Sequence, residues 1–221
     1  MRSTRDVEIA TGDAMLEGFL TTADDAEALV VFAHGSGSSR FSSRNRAVAA
    51  HLNEAGLSTL LLDLLTAREH ERDARTREHR FDIPLLGRRL TGAVRWVRDR
   101  DREEATRIGL FGASTGAAAA VLAAAEAPEA VHAVVSRGGR PDLAESALER
   151  VRAPTLLLVG DLDGPVVELN RDAATRLRCP HELALVPGAS HLFEEPGTLE
   201  EAAERAAAWF RRFLATGPAA S

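Results

Sequence analysis

The sequence predicts an α/β fold: an open, mostly parallel sheet with helices on both faces and an antiparallel hairpin at its N-terminal edge. Three observations predict it. Short apolar runs alternate with longer helical patterns almost from end to end. Several of those runs are apolar at every position, as a strand covered on both faces requires. At 221 residues the chain is long enough for one well-buried domain and marginal for two, so residues 1–221 read as a single domain.

Val7 to Ala10 and Met15 to Leu20 read as two strands joined around Gly12-Asp13, a turn dipeptide. Ala28 to Ala33 (ALVVFA) is a buried strand. A helix from Arg44 to Ala55 stops at Gly56, and a strand follows from Ser58 to Asp63. Leu64 to Asp82 is charged with little periodicity, a frayed helix or a surface loop long enough for a small lid. Arg80 and Asp82 within it read as either a contact to substrate or, structurally, an internal ion pair. Pro84 suits the first turn of a helix running to about Arg98.

The second half repeats the alternation. A strand at Arg107 to Phe111 leads into an alanine-rich helix from Ser114 to Ala127. Strands at Ala133 to Ser136, Thr155 to Gly160 and His181 to Val186 are separated by helices near Leu143 to Arg150 and Val167 to Leu177. The last helix spans Leu199 to Leu214, and Thr198 with Glu201 has the spacing of a capping box before it. In open sheets of this kind the site lies at the carboxyl ends of the strands.

Composition narrows the chemistry. The formal net charge is −6, which disfavours a nucleic-acid partner. There is no lysine and no tyrosine, so Schiff-base chemistry, a phosphate-loop lysine and a phenolic acid or base are excluded. The single cysteine, Cys179, cannot form an internal disulfide or a cysteine-based metal site and reads as a packed thiol. His70 and His79 lack metal-ligand spacing, so no metal is expected. The start of the chain lacks the apolar stretch of a secretory signal, and no run approaches the roughly 20 apolar residues of a membrane span. These features predict a cytoplasmic protein without a membrane partner.

Gly112-Ala113-Ser114-Thr115-Gly116 has the form G-x-S-x-G between a strand and a helix. That context suits a nucleophile on a strained turn, flanked by residues small enough for strand and helix to pass closely. His191 follows the final strand on the loop Pro187 to His191 and is the last histidine in the chain. Imidazole titrates near neutrality and can move a proton both ways, which fits a general base. An orienting carboxylate belongs between them in chain order, and Asp161 and Asp163 both follow a buried strand. Asp163 is preferred because it sits farther into the loop.

Acyl transfer also needs amides aimed at the developing oxyanion. Thr115 supplies one, and the loop His34 to Ser39 (HGSGSS) supplies the other, at Ser36. This loop begins like a dinucleotide fingerprint, but Arg40 stands where the third glycine belongs, so nucleotide binding is rejected. Arg137 and Arg140 flank Gly138-Gly139 at a strand end, where they either grip an anionic substrate or tie the loop to Asp142. Phe193 is a candidate pocket wall or a packing residue.

With these residues assembled, the chain resembles the dienelactone hydrolase-like branch of the α/β-hydrolases over nearly its whole length. The resemblance rests on AHGSGSSRFSSRNR, LLDLLT, RFDIPLL, GASTG, VSRGGRPDLA, VGDLDGPVVELN and PGASHLFEEPG. It implies an α/β-hydrolase fold, a Ser114–Asp163–His191 triad, and oxyanion donors at Ser36 and Thr115; no insertion in the sequence is large enough for a cap domain. Dienelactone hydrolases proper carry cysteine in the elbow, where this chain has Ser114. The sequence is also similar to hydrolase domains fused to phosphoribosyltransferases. The expected activity is cleavage of a small ester, lactone or thioester; the triad mechanism needs no cofactor, and a monomer or homodimer is expected. The rival expectation is a ligand-binding protein that keeps the pocket without the chemistry.

Overall fold

The computed structural model describes residues 2–23, 26–100 and 106–215. Its eight strands are β1 (Ser3–Ala10), β2 (Met15–Thr22), β3 (Ala28–Ala33), β4 (Ser58–Leu62), β5 (Arg107–Ala113), β6 (Val131–Arg137), β7 (Thr155–Gly160) and β8 (His181–Val186). They form one sheet in the order β1-β2-β4-β3-β5-β6-β7-β8. β1 and β2 pair antiparallel, β2 is antiparallel to β4, and every other neighbour is parallel.

The helices are α1 (Ser43–Glu54), α2 (Ala67–Thr76), α3 (Ile83–Arg100), α4 (Thr115–Glu126), α5 (Gly164–Arg176) and α6 (Thr198–Leu214). Strand β3 shows why both faces are covered. Leu29, Val31 and Ala33 enter one core with α3 and α4, while Ala28, Val30 and Phe32 enter another with α1 and α6. Side chains alternate across a strand, so an all-apolar run is the signature of two cores. The packing is close: a Cβ at Gly109 of β5 would lie 2.6 Å from the Phe210 ring.

After β3 the chain turns toward β4, and after β5 it proceeds toward β6, so the strand order reverses between β3 and β5. Crevices form at such switch points because the loops leaving the two strands diverge. The loop after β3 and the elbow after β5 meet there.

Four local expectations are revised. The charged stretch contains a defined helix, α2, opened by a capping box in which Thr66 and Glu69 satisfy each other's backbone N–H groups. Arg80 pairs with Asp73 (Nε to Oδ2, 2.6 Å) rather than with Asp82, whose Oδ1 instead accepts from Leu85 N–H at the start of α3. The box expected at Thr198 and Glu201 does not form. Gly197 takes the cap position at φ 84°, Thr198 donates to the Glu195 carbonyl, and Glu201 pairs with Arg205. Residues Pro141–Arg150 are two short 3-10 turns broken at Glu145, which has φ 48°.

Candidate active site

Ser114 sits at φ 51°, ψ −123°, a conformation that L-residues rarely adopt. Flanking contacts hold it there. A Cβ at Gly112 would lie 2.5 Å from Ala117 Cα, and one at Gly116 would lie 2.2 Å from the Ala33 carbonyl oxygen. Any side chain at either position would push α4 away from the sheet and relax the turn. Ser114 N–H donates to the Arg137 carbonyl at 3.2 Å, and its own carbonyl accepts from Arg140 N–H at 3.0 Å. The elbow is therefore also clamped by the end of β6.

Ser114 Oγ lies 3.4 Å from His191 Nε2, and His191 Nδ1 lies 2.6 Å from Asp163 Oδ2. Nδ1–H donates to the carboxylate, which leaves Nε2 free to accept the serine proton. Asp163 ends the loop after β7 and is the carboxylate that reaches the imidazole. Asp161 does different work. Its Oδ1 accepts from Gly188 N–H at 2.7 Å, bracing the loop that carries His191. Glu195 braces the same loop from the other side, accepting from Ser190 N–H at 3.0 Å, and bonds from Ser190 hold its carboxyl below the usual range.

The loop after β3 packs onto the nucleophile, with a Cβ at Gly35 falling 3.0 Å from Ser114 Cβ. His34 anchors this loop from beneath. Its buried ring accepts from Leu64 N–H through Nε2 at 3.1 Å, which leaves Nδ1–H to donate to the Gly35 carbonyl at 2.9 Å. Burial pushes its pKa below the ordinary imidazole value. Neutral His34 thus joins the loop to the turn after β4, a role not assigned from sequence, although AHGSG contained it.

A cavity of about 240 Å³ opens over Ser114 and His191. Ser36 lines it, as do Arg44 and Asn45 of α1, which sequence reasoning left unassigned. Nothing near Arg44 or Asn45 in the chain marks them, because their place at the cavity depends on how the first turn of α1 packs in three dimensions.

The profile of the dienelactone hydrolase family matches residues 16–216. The chain belongs to this family. A dienelactone hydrolase from Anabaena variabilis, known from its crystal structure, is 53% identical, with a TM-score of 0.95 over 97% of this chain and 99% of its own. An esterase from Pyrococcus furiosus shares the fold at 21% identity and a TM-score of 0.75, covering 96% of this chain and 92% of its own. Two Mycobacterium tuberculosis proteins with the provisional name phosphoribosyl transferase are 50% identical over 205 residues. The match covers 93% of this chain but only 45% of each relative.

Membership makes the chain a hydrolase with an α/β-hydrolase fold. Among the described residues, no helix is long and apolar enough to cross a membrane. Two remaining candidates take distinct places in this dienelactone hydrolase-family site. Arg137 lines the cavity, whereas Phe193 is 2% exposed and lies behind that wall, its ring 5.4 Å from the Arg137 guanidinium carbon. Arg140 faces away and grips Asp142 through two bonds, of 2.9 and 2.8 Å.

Proposed function

We propose that this hydrolase cleaves a small ester-like bond, in a carboxylic ester, lactone or thioester, through an acyl-enzyme on Ser114. The single observation that carries the reading is the contact chain from Ser114 through His191 to Asp163, at 3.4 and 2.6 Å. His191 Nε2 takes the Ser114 proton as Oγ attacks the carbonyl carbon, and Asp163 stabilises the imidazolium. The amides of Ser36 and Thr115 receive the oxyanion. His191 then protonates the leaving group and activates the water that releases the acid. Only water is consumed, so the cycle requires no cofactor.

The test is chemical. A fluorophosphonate probe is expected to label the wild-type chain at Ser114, and Ser114→Ala is expected to remove both labelling and turnover of p-nitrophenyl acetate while staying folded. A wild-type chain that resists the probe and hydrolyses none of a panel of esters, lactones and thioesters would instead be a ligand-binding protein.

A further inference from the structure

Among the described residues two arginines are almost fully buried, and they are treated in opposite ways. Arg89, 3% exposed, is neutralised by Asp13 and Glu69 at 3.0 and 2.9 Å. Arg137, 7% exposed, has no carboxylate within ion-pair distance among the described residues. Its Nε and Nη1 are buried without a hydrogen-bond partner, and its Nη2 reaches only Asn45 Oδ1, at 3.4 Å. A buried charge without a counter-ion is costly, in a chain with 33 acidic residues available to pair it. Burial, with repulsion from Arg44, lowers its pKa to about 10.

Position gives this charge a use. Arg137 is in register with Ala113, the residue before the nucleophile, and both Arg137 and Arg44 line the cavity. The hydroxyl-bearing Ser36, Ser38 and Ser42 line it too, with no aspartate or glutamate among the lining residues, although Arg44 Nη1 pairs with Glu194 Oε1 at 3.2 Å, and with Leu192 as its one large apolar side chain. Such a wall repels a fatty acyl chain and offers many donors to an anion. A carboxylate has two oxygens to satisfy, whereas a phosphate presents three, and guanidinium groups suit its geometry.

We propose that the cavity takes a small ester that also carries a phosphate monoester group, the phosphate held by Arg137, Arg44 and the serine hydroxyls beside the nucleophile. This rests on the acyl-enzyme reading above. The acyl C–O bond breaks and a bond from Ser114 Oγ to the acyl carbon forms. The leaving oxygen takes the proton held by His191, and water then releases the acid. The P–O bonds stay intact, so one product keeps the phosphate.

The probe is inorganic phosphate, titrated by calorimetry near neutral pH against wild type, Arg137→Met and Arg137→Lys, with acetate as the carboxylate control. Saturable phosphate binding to wild type is expected, weakened at least roughly tenfold in Arg137→Met and less in Arg137→Lys, which keeps the charge but loses the fork. Arg137→Lys carries the comparison if Arg137→Met fails to fold. Acetate is expected to bind about tenfold more weakly than phosphate. Absence of saturable binding, equal affinity in wild type and variants (an adventitious ion only), or acetate binding as tight as phosphate would each overturn the assignment. Because the titration needs no turnover, its failure is separable from a failure of fluorophosphonate labelling, which bears on Ser114 alone.

Discussion

His191 Nδ1 and Asp163 Oδ2 stand 2.6 Å apart, joining the loops after β8 and β7. Asp161, two residues earlier, points instead at the backbone of the histidine loop. Substituting the two aspartates therefore has different consequences. Asp163→Asn is expected to lower kcat on p-nitrophenyl acetate by about 10³–10⁴-fold, because an amide no longer fixes the required tautomer. Asp161→Asn keeps an acceptor for Gly188 N–H and is expected to cost far less. Parallel steady-state kinetics on the two variants decide the matter, and equal losses would contradict these roles.

Gly116 and Gly188 make a second contrasting pair. A Cβ at Gly116 would strike the Ala33 and His34 carbonyl oxygens at 2.2 and 2.6 Å, and backbone cannot retreat without moving the loop under the nucleophile. Gly116→Ala is expected to cost about 1–3 kcal/mol or more and to impair turnover. Gly188 has φ +71°, but a methyl group there would meet nothing within 4 Å, so Gly188→Ala should cost only about 1 kcal/mol of backbone strain. Urea denaturation of both variants measures the difference.

The Thr66–Glu69 box predicts the behaviour of α2. This helix buries only Asp73 and has no apolar face to hold it, so its cap matters more than usual. Thr66→Ala is expected to destabilise by about 1 kcal/mol. Hydrogen exchange should show faster exchange concentrated in residues 67–76, and uniform acceleration across the sheet would argue against a local effect.

Acid stability follows from His34. Burial depresses its folded pKa below the unfolded value of about 6.5, so the folded state binds fewer protons there. Its contribution is fully present above about pH 6.5 and is lost as pH falls below that value toward the folded pKa. His132, also depressed, first by burial and then by Arg107, adds in the same window. The carboxyls of Asp13, Glu69 and Asp73 lie below their ordinary values despite burial, because arginine and backbone bonds outweigh it. Their share disappears only below about pH 4.5. Urea midpoints measured against pH should fall in two steps, and His34→Gln should flatten the upper one.

The elements legible in the sequence are those whose cause is local. ALVVFA reads as a strand covered on both faces because its apolar run is short, rich in β-branched residues and set in a β-α alternation, and GASTG reads as an elbow because its small residues flank the serine. Chain order points to Ser114, to His191 and equally to Asp161 and Asp163, and it is Asp163, farther into its loop, whose carboxylate lies 2.6 Å from His191 Nδ1. Arg80 could not be paired by inspection, since α2 ends between it and Asp73 and folds the distant acid toward it. Thr198 has the spacing of a cap, but Gly197 in a left-handed turn occupies that place. At Thr66 the box was written in plain residues and was obscured by the charge around it. The isolation of Arg137 had no sequence signal, because it depends on the register of β5 against β6 and on the approach of Asn45 from α1.

Helix α4 carries one more consequence. Immediately behind the nucleophile it buries alanines at 117, 118, 119, 120, 123 and 124 together with Val121, and so packs among the sheet, α3 and the turns at 141–150 through short side chains. Such a seat has no long side chains whose rotamers could be exchanged, and a larger residue has nowhere to go. Diversity aimed at new substrates therefore belongs in the walls contributed by α1 and the loop after β3. The floor is better inherited unchanged, and natural variants that differ in what they accept are expected to differ in the rim and agree in this row of methyls.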